Sequence, residues 1–373
     1  MDIVLVANSP GELSALVKPL AEKFKEKKRE ARLILFITPC QYASGREVEF
    51  AQKILKVDKI VSAEEYKRWL LAGPLPYTPQ YQGVVLFLGG DLLHATLIAK
   101  KLNYKAYAYL AGKHIGWRNV FSKFYIPDDS HFKNEEKAKV VGDLMTDSIQ
   151  VQPREKVQSH WHLKPDRLTL AFMPGSRHWE IAHMLPLYKK IIKLLKKRVP
   201  EVQLILILSP FITVEDIEKY PEHSLFDVLA TFDSISAADL AVTIPGTNTA
   251  QIASAGIPML VIFPLDNPAV IPLEGSMHYL TSIPLLGYFL KRLIAFEVNR
   301  KTKYFALPNI KAGREIVPEM RGSIKPKEAA EKIIDLLSHP SILRNMEKEL
   351  NSLMVRSGAA NKIVEDILSE TLS

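Results

Sequence analysis

The sequence predicts an α/β protein with two Rossmann-like, doubly wound parallel-sheet domains that face a cleft, followed by a helical C-terminus. Short apolar runs alternate with segments of helical period, which is the order found in parallel sheets with right-handed crossovers. The 373 residues exceed the size of one ordinary core. The alternation lapses in the polar stretch from Gln150 to Asp166, which is predicted to be the linker.

Both halves of the chain show this alternation. The N-terminal half has predicted strands at Ile3–Ala7, Arg32–Ile37, Val84–Leu88 and Ala106–Leu110, an apolar helical stripe at Leu13, Leu16, Val17, Leu20 and Phe24, and a helix over Leu92–Leu102. The C-terminal half has predicted strands at Leu168–Met173, Leu204–Leu208, Leu240–Ile244 and Met259–Phe263, and apolar stripes at Ala329, Ile333, Ile334, Leu337, Ile363, Ile367 and Leu368. A further helix is predicted to start near Pro186, because proline is well tolerated in a first turn.

The predicted domains are residues 1–155 and 166–345, with helices of 346–373 packing back on the first domain or on a partner subunit. Ligands of doubly wound sheets bind outside the carboxyl ends of the strands. The loops that follow the predicted strands are therefore the candidates for function.

Composition excludes several classes of protein. Cys40 is the only cysteine, which excludes an intramolecular disulfide and a cysteine-rich zinc site. The N-terminus lacks the features of a signal peptide, so we expect a cytoplasmic protein. The most apolar tract, Gly256 to Leu273, contains Asp266, Asn267 and four prolines, and no membrane span is predicted. The net charge of +8 favours anionic partners, but the basic residues are scattered and no nucleic-acid module is recognisable.

Two loops of the C-terminal half suit a phosphate. The first is Pro174-Gly175-Ser176-Arg177, where the backbone can approach a phosphate closely and the arginine offers a fork of hydrogen-bond donors. A turn with a solvated arginine explains this loop equally well. In Pro245 to Gln251, Thr247 or Asn248 is expected to cap a short helix whose amino end forms an anion site, with Gln251 near a ribose hydroxyl. An ordinary capped crossover helix is the alternative.

Two loops of the N-terminal half suit acid–base chemistry. Asp91 follows Gly89-Gly90 and is either the N-cap of the next helix or a general base, with His94 as a competing base. Ser9-Pro10-Gly11-Glu12-Leu13 lacks the dinucleotide pattern, and Glu12 is favourable at a helix start in any case. No D-x-D or H-E-x-x-H pattern occurs, so no catalytic metal is predicted.

The segment from Tyr279 to Phe296 combines aromatic residues and leucines with Lys291-Arg292. It suits an anionic membrane surface or an acyl chain, and burial against a neighbouring domain or subunit explains it as well.

A longer pattern, YFALPNIKAGREIV, begins at Tyr304. Together with PGSR followed by Glu180, and ADLAVTIPGTNTAQ followed by AGIPMLV, it resembles the lipid-A-disaccharide synthase family of glycosyltransferases. Similarity in the N-terminal half is looser and is carried by the first strand, the GGD loop and VGDLMTD at Val141 to Asp147.

The resemblance implies a GT-B fold, a UDP-sugar donor and inverting transfer without a metal or other cofactor. It implies that Asp91 is the catalytic base, that Arg314 stabilises charge on the leaving UDP, and that Glu315 either fixes this arginine or binds a hydroxyl. The implied UDP-sugar site comprises Gly175, Ser176, Arg177, Pro245, Gly246, Thr247, Asn248, Gln251, Asn309, Gly313 and Glu315, and the implied acceptor side comprises Ser9, Gly11, Glu12 and His94.

The chain departs from the family pattern mainly on the acceptor side. The G-E-x-S-G-D loop of the family is Asn8 to Leu13 here, its G-H is Gly142-Asp143, and its tryptophan-rich acceptor loop is reduced to Ala111 to Trp117. On the donor side, Gln251 stands where the family usually has glutamate. We therefore expect a retained donor half and a changed acceptor.

The leading hypothesis is transfer of a sugar similar to N-acetylglucosamine to a lipid-linked acceptor hydroxyl, at the inner face of the membrane. A UDP-sugar 2-epimerase of the same fold and a non-catalytic nucleotide-sugar or membrane-surface binding protein are the alternatives. The resemblance also allows a homodimer that exchanges C-terminal segments.

Overall fold

The computed structural model describes residues 1–40, 45–110, 116–128, 135–149, 151–265, 297, 300–354 and 358–372. The chain forms two compact units: unit 1 is Met1–Ile149 with Arg356–Ser373, and unit 2 is Gln150–Val355. The segment from Tyr279 to Phe296 and most of the segment from Ala111 to Trp117 lie outside the described residues.

The strands and helices are labelled here in chain order. The strands are β1 Asp2–Ala7, β2 Arg32–Ile37, β3 Lys59–Val61, β4 Gly83–Phe87, β5 Lys105–Tyr109, β6 Phe121–Ile126, β7 Ala138–Val140, β8 Thr169–Met173, β9 Gln203–Leu208, β10 Val228–Thr231, β11 Leu240–Thr243, β12 Met259–Pro264 and β13 Glu319–Gly322. The helices are α1 Pro10–Glu12, α2 Lys18–Lys27, α3 Glu47–Ile54, α4 Ala63–Leu70, α5 Leu92–Leu102, α6 Leu144–Asp147, α7 Arg154–His160, α8 His178–Arg198, α9 Val214–Glu218, α10 Thr247–Ser254, α11 Leu307–Ala312, α12 Pro326–Ser338, α13 Pro340–Leu353 and α14 Ala359–Leu372.

Unit 1 contains a parallel sheet in the order β3-β2-β1-β4-β5-β6-β7. Every residue of β1 is buried, as expected for a central strand covered on both faces. Val4 pairs with Ile34 of β2 on one side and with Val85 of β4 on the other. The direction of winding reverses between β1 and β4, which makes this point the topological switch point of the sheet.

Helix α14, the last of the chain, is anchored to the sheet of unit 1 by polar side chains. Asp366 accepts hydrogen bonds from Lys123 Nζ at 2.7 Å and from Tyr125 Oη at 2.8 Å. Glu370 accepts from Tyr107 Oη at 2.7 Å and also pairs with Lys123. The helix is therefore part of unit 1, although about 210 residues of unit 2 precede it in the chain.

Unit 2 contains a second parallel sheet, in the order β10-β9-β8-β11-β12-β13. Its switch point lies between β8 and β11. The two sheets confirm the α/β class predicted from the alternation of apolar runs and helical segments.

One prediction about local structure in unit 2 is wrong. Helix α8 begins at His178 and carries Pro186 in its interior rather than at its start. Its first turn is stabilised by Glu180, which accepts hydrogen bonds from the loop before the helix. The polar stretch predicted as a linker contains helix α7, and Arg154 of that helix pairs with Asp239 at 2.8 Å.

Candidate functional site

The four loops singled out by sequence flank the two switch points. In unit 1, Ser9 to Leu13 follows β1 and Gly89 to Asp91 follows β4, and these strands are neighbours. In unit 2, Pro174 to Arg177 follows β8 and Pro245 to Gln251 follows β11, which are also neighbours. Each unit thus presents a pair of loops at the position where doubly wound sheets bind ligands.

Glu12 organises the first loop of unit 1. Its Oε2 accepts hydrogen bonds from the backbone N–H groups of Asn8 (2.9 Å) and Ser9 (3.1 Å), and Ser9 Oγ accepts from Glu12 N–H at 3.4 Å. Burial raises the pKa of Glu12, and hydrogen bonds from the backbone, including that of Gly90, oppose the shift. Gly11 lies inside this first turn. The carboxylate is therefore turned into the protein, where it holds the loop together.

Asp91 is the N-cap of α5, as one of the two sequence interpretations held. Its Oδ1 accepts a hydrogen bond from Leu93 N–H at 2.8 Å, and the residue is exposed. Within the described part of the chain, no hydrogen bond to Oδ2 is found. Capping uses one carboxylate oxygen, so the geometry is compatible with a second role for the other.

His94 lies one turn beyond Asp91 and is held by Tyr66. The distance between His94 Nδ1 and Tyr66 Oη is 2.8 Å. Burial lowers the pKa of His94, while the charge of Asp91 opposes that shift. The ring is therefore mostly neutral at pH 7, and only Nε2 is available for exchanging a proton with a ligand.

The first loop of unit 2 repeats the arrangement of unit 1. Glu180 Oε2 accepts hydrogen bonds from Ser176 N–H (2.6 Å) and Arg177 N–H (3.0 Å). Its Oε1 pairs with Arg177 Nη1 at 2.7 Å. Gly175 has φ +118°, and a Cβ there would lie 2.2 Å from Glu180 Oε2. The donors of this loop that were predicted for phosphate are thus partly used by the protein's own carboxylate.

The second loop of unit 2 leaves the amino end of a helix without a side-chain cap. Thr247 and Asn248 do not cap α10, contrary to the prediction; Gly246 occupies the N-cap with φ +126° and ψ −163°, a conformation essentially confined to glycine. A Cβ built on Gly246 would meet no described atom within 4 Å. The first N–H groups of α10 are therefore not capped by a side chain, which is the condition under which helix amino ends can bind anions. Pro245 and Gln251 are partly exposed on either side.

Helix α11 adjoins α10 through one hydrogen bond. Thr249 Oγ1 accepts from Leu307 N–H at 3.0 Å and donates to Gly246 O at 2.8 Å. The start of α11 is thereby tied to the first turn of α10. Gly313, at the far end of α11, is about 9 Å further along the helix axis, since six residues rise 1.5 Å each.

Asn309 serves the protein interior. Its Nδ2 donates to Val317 O (2.8 Å) and Glu319 Oε1 (2.9 Å). Its Oδ1 accepts from the backbone N–H groups of Ile316 (2.7 Å) and Val317 (2.9 Å). The side chain is fully buried, so it shapes the loop that contains Arg314 and Glu315 instead of lying open to a ligand.

Arg314 and Glu315 are exposed on this loop. Gly313 ends α11 in the left-handed conformation, with φ +68°. Arg314 Nη1 pairs with Glu349 Oε2 of α13 at 2.6 Å, and 60% of the arginine side chain is exposed. The structure thus brings Gly246 and Thr249 together with the start of α11, and it places Arg314 at the other end of that helix.

Sequence reasoning missed Glu319, a buried acceptor that joins several parts of this region. Its carboxylate accepts hydrogen bonds from Phe305 N–H (3.0 Å), Ala306 N–H (2.9 Å) and Asn309 Nδ2 (2.9 Å). Its side chain is 3% exposed. It is the first residue of β13, and an acidic residue in the short run Glu-Met-Arg-Gly gives no strand signal.

Other candidate features lie elsewhere. A cavity of about 270 Å³ in unit 2 is lined by residues such as Arg167, Gln203 and Asp227, which stand at the amino ends of β8, β9 and β10. It is at the opposite edge of the sheet from the switch-point loops. Among the described residues, no cluster of three or more His, Cys, Asp or Glu side chains suits a metal ion. In the same part of the chain, no helix combines the length and hydropathy needed to cross a bilayer.

Comparison with known proteins points to one family. A family model described as lipid-A-disaccharide synthetase matches residues 126–270, which is less than half of the chain. The lipid-A-disaccharide synthase of Salmonella agona is 25% identical over 398 aligned positions, which cover 99% of this chain and 97% of that protein. The chain is similar to lipid-A-disaccharide synthases. The family model begins at residue 126, so it leaves the loops that contain Ser9, Glu12 and Asp91 unmatched.

Other members of the lipid-A-disaccharide synthase family match over shorter lengths. The enzymes of Gluconobacter oxydans (27% identical) and Syntrophus aciditrophicus (26%) align with 54% and 58% of this chain. These alignments span 46% and 53% of the relatives, about half of their length. The similarity therefore rests on the whole-length relative and on the matched central region.

Solved structures share the fold. A UDP-GlcNAc 2-epimerase of Neisseria meningitidis bound to UDP-GlcNAc has a TM-score of 0.59 at 13% identity, covering 99% of this chain and 100% of that one. MurG of Acinetobacter baumannii has a TM-score of 0.50 at 13% identity, covering 99% of both chains. At this level of identity the likeness concerns the fold alone, and the GT-B class predicted from sequence is confirmed.

Proposed function

We propose that this protein transfers a sugar from a UDP-sugar to a hydroxyl of a lipid-linked acceptor, with inversion and without a metal ion. The observation that carries the proposal is the amino end of α10, which is capped by glycine and lies at the switch point of unit 2. Similarity to lipid-A-disaccharide synthases suggests a ligand of matching chemistry for the amino end of α10, a nucleoside diphosphate sugar.

The donor diphosphate would lie on the N–H groups of Thr247 and Asn248. The space around Gly246 is open, since a Cβ built there would meet no described atom within 4 Å. The helix dipole adds an attraction for negative charge at this end. Arg177 is held by Glu180 and would lie beside the site as a fixed cation. Its loop follows strand β8, which is adjacent to β11, the strand that precedes α10. Arg314 would offset charge on the leaving UDP.

The acceptor hydroxyl would be activated in unit 1. Asp91 is exposed and is fixed at the start of α5 by the hydrogen bond from Leu93 N–H. It would take the proton of the acceptor hydroxyl as that oxygen attacks the anomeric carbon and the bond to UDP breaks. His94 would be a neutral neighbour of Asp91, since burial lowers the pKa of its imidazole.

The test is the release of UDP from UDP-N-acetylglucosamine, with and without an N-acylglucosamine acceptor dispersed in detergent. The proposal expects release that depends on the acceptor, a product of inverted anomeric configuration by NMR, and the same rate in the presence of EDTA. Turnover of the donor without an acceptor, seen by NMR as a sugar with inverted configuration at C2, would instead indicate the epimerase class. Unchanged donor with every acceptor would contradict a transferase.

The proposal extends to location and assembly. A lipid-linked acceptor requires contact with a membrane surface, and we propose contact at the inner face of the membrane by a cytoplasmic protein. Co-sedimentation with vesicles that contain anionic lipid measures this contact, and light scattering measures the homodimer that the family resemblance suggests. Recovery of all protein in the supernatant would contradict the first, and a monomeric mass would contradict the second.

A further inference from the structure

We propose that Glu12 is a positioning residue that fixes the loop of Asp91 by bridging the two loops at the switch point of unit 1. The inference rests on the base role proposed above for Asp91. The sequence pattern alone does not distinguish this role from the ordinary benefit of an acidic residue at a helix start. The contacts of the Glu12 carboxylate in the structure distinguish the two.

The carboxylate of Glu12 contacts both loops. Asn8 and Ser9, which follow β1, donate their backbone N–H groups at 2.9 and 3.1 Å. Gly89, which follows β4, packs directly on the same carboxylate, since a Cβ built on it would lie 1.9 Å from Glu12 Cδ. Gly89 is two residues before Asp91, so the bridge ends close to the proposed base.

The glycines of the second loop fit around this carboxylate. A Cβ built on Gly89 would lie 1.9 Å from Glu12 Cδ and 2.1 Å from its Oε1. Gly90 has φ +88°, and a Cβ there would lie 2.6 Å from Asn8 Nδ2. The Gly-Gly pair before Asp91 is thereby explained as the space that lets the loop close over Glu12 and Asn8.

Glu180 is the residue of unit 2 that corresponds to Glu12, and its contacts differ from those of Glu12. Glu180 also accepts two backbone N–H groups of its own loop, but its third described partner is Arg177 of that same loop. Among the described contacts, only Glu12 reaches across to the loop of the neighbouring strand. The bridge is therefore a property of the unit that carries Asp91, and it is not a general consequence of an acidic first turn.

The experiment compares Glu12→Gln with wild type and with the exposed control Glu30→Gln in the same unit. Asn8 and Ser9 both donate to Oε2, so the amide oxygen of glutamine can accept both, and its NH2 group then faces the loop of Gly89 and Gly90 where it cannot accept a hydrogen bond. We expect amide hydrogen exchange in Gly89 to Asp91 to become about 2- to 13-fold faster, the equivalent of one hydrogen bond. Glu30→Gln should leave exchange there unchanged.

Turnover is measured on the same proteins with UDP-N-acetylglucosamine and an N-acylglucosamine acceptor. Glu12→Gln should lower kcat by about 10- to 100-fold through misplacement of the base, while KM for the donor and the affinity for UDP stay as in wild type. A defect confined to folding would lower the concentration of active protein and would not speed exchange selectively in this loop.

A substitution in the loop after β4, at Gly89, tests the same contact by steric displacement. Gly89→Ala should displace the carboxylate and reproduce both effects. In a Glu12→Ala background, where the space is vacated, the same substitution should add little, so the two changes should be non-additive.

Two results would overturn the proposal: unchanged exchange at Gly89 to Asp91 in Glu12→Gln, or faster exchange with an unchanged kcat. Failure of the proposed function looks different. If Asp91→Asn turns over as fast as wild type, the base role is lost while the exchange result still reports whether the bridge exists.

Discussion

Replacing Asp91 by Asn separates its two roles. Asparagine caps helices about as well as aspartate, so the hydrogen bond from Leu93 N–H, 2.8 Å in the structure, should persist. We expect the free energy of unfolding to change by only a few tenths of a kcal/mol. Loss of a general base should lower kcat by about 10²- to 10⁴-fold, or roughly 2.7 to 5.4 kcal/mol of barrier.

The assay is acceptor-dependent release of UDP, measured beside thermal unfolding. Asp91→Ala is the matched control, because it removes both the base and the cap and should therefore cost about 1 kcal/mol of stability in addition. NMR titration of His94 gives a second readout: the charge of Asp91 raises the pKa of His94, so that pKa should fall further in Asp91→Asn. A variant that turns over as fast as wild type, with His94 shifted as expected, would refute the base role.

Three further predictions concern the other parts of the account. Gly246→Ala should weaken UDP binding by about 5- to 150-fold, because the φ of +126° strains any other residue by roughly 1 to 3 kcal/mol; unchanged affinity by calorimetry would contradict the anion site. Arg314→Ala should weaken UDP binding by about 1 to 3 kcal/mol. It should cost little stability, because the exposed pair with Glu349 contributes at most about 1 kcal/mol. Glu349→Gln frees the arginine and should keep the affinity, whereas an affinity lost in Glu349→Gln but kept in Arg314→Ala would place Arg314 away from the phosphate. The hydrogen bond from Lys123 lowers the pKa of Glu370 below its ordinary 4.5. This contribution to the docking of α14 is therefore complete above pH 4.5 and is lost as the pH falls through the lowered value. Hydrogen-exchange protection factors of the α14 amides that are equal at pH 7 and pH 3 would contradict this prediction.

The sequence predicts the central strands well because they are buried on both faces. β1, β2 and β4 are continuous apolar runs, and their predicted bounds agree with the structure to within one residue. The short edge strands escape such reasoning. Lys59–Val61 has three residues, and Glu319–Gly322 has no apolar alternation, so only pairing with a neighbouring strand makes it a strand.

Side-chain roles were predictable where they depend on local chain geometry. Asp91 is an N-cap because it directly precedes its helix. Asn309 could not be predicted to turn inward, because its partners Val317 and Glu319 follow 8 and 10 residues later in the chain. The cap of α10 was mispredicted because Thr247 and Asn248 are good capping residues by type, while the φ of Gly246 decides the geometry.

The central claim is that unit 2 binds a uridine nucleotide at the amino end of α10. The most direct measurement is calorimetric titration of the protein with UDP, beside GDP and NAD, for wild type and Gly246→Ala. The account predicts saturable binding of UDP that is tighter than that of GDP or NAD, and a loss of UDP affinity in the variant. Absence of UDP binding, or equal binding of all three nucleotides, would contradict it and would leave this chain with the fold of the lipid-A-disaccharide synthase family but without its donor site.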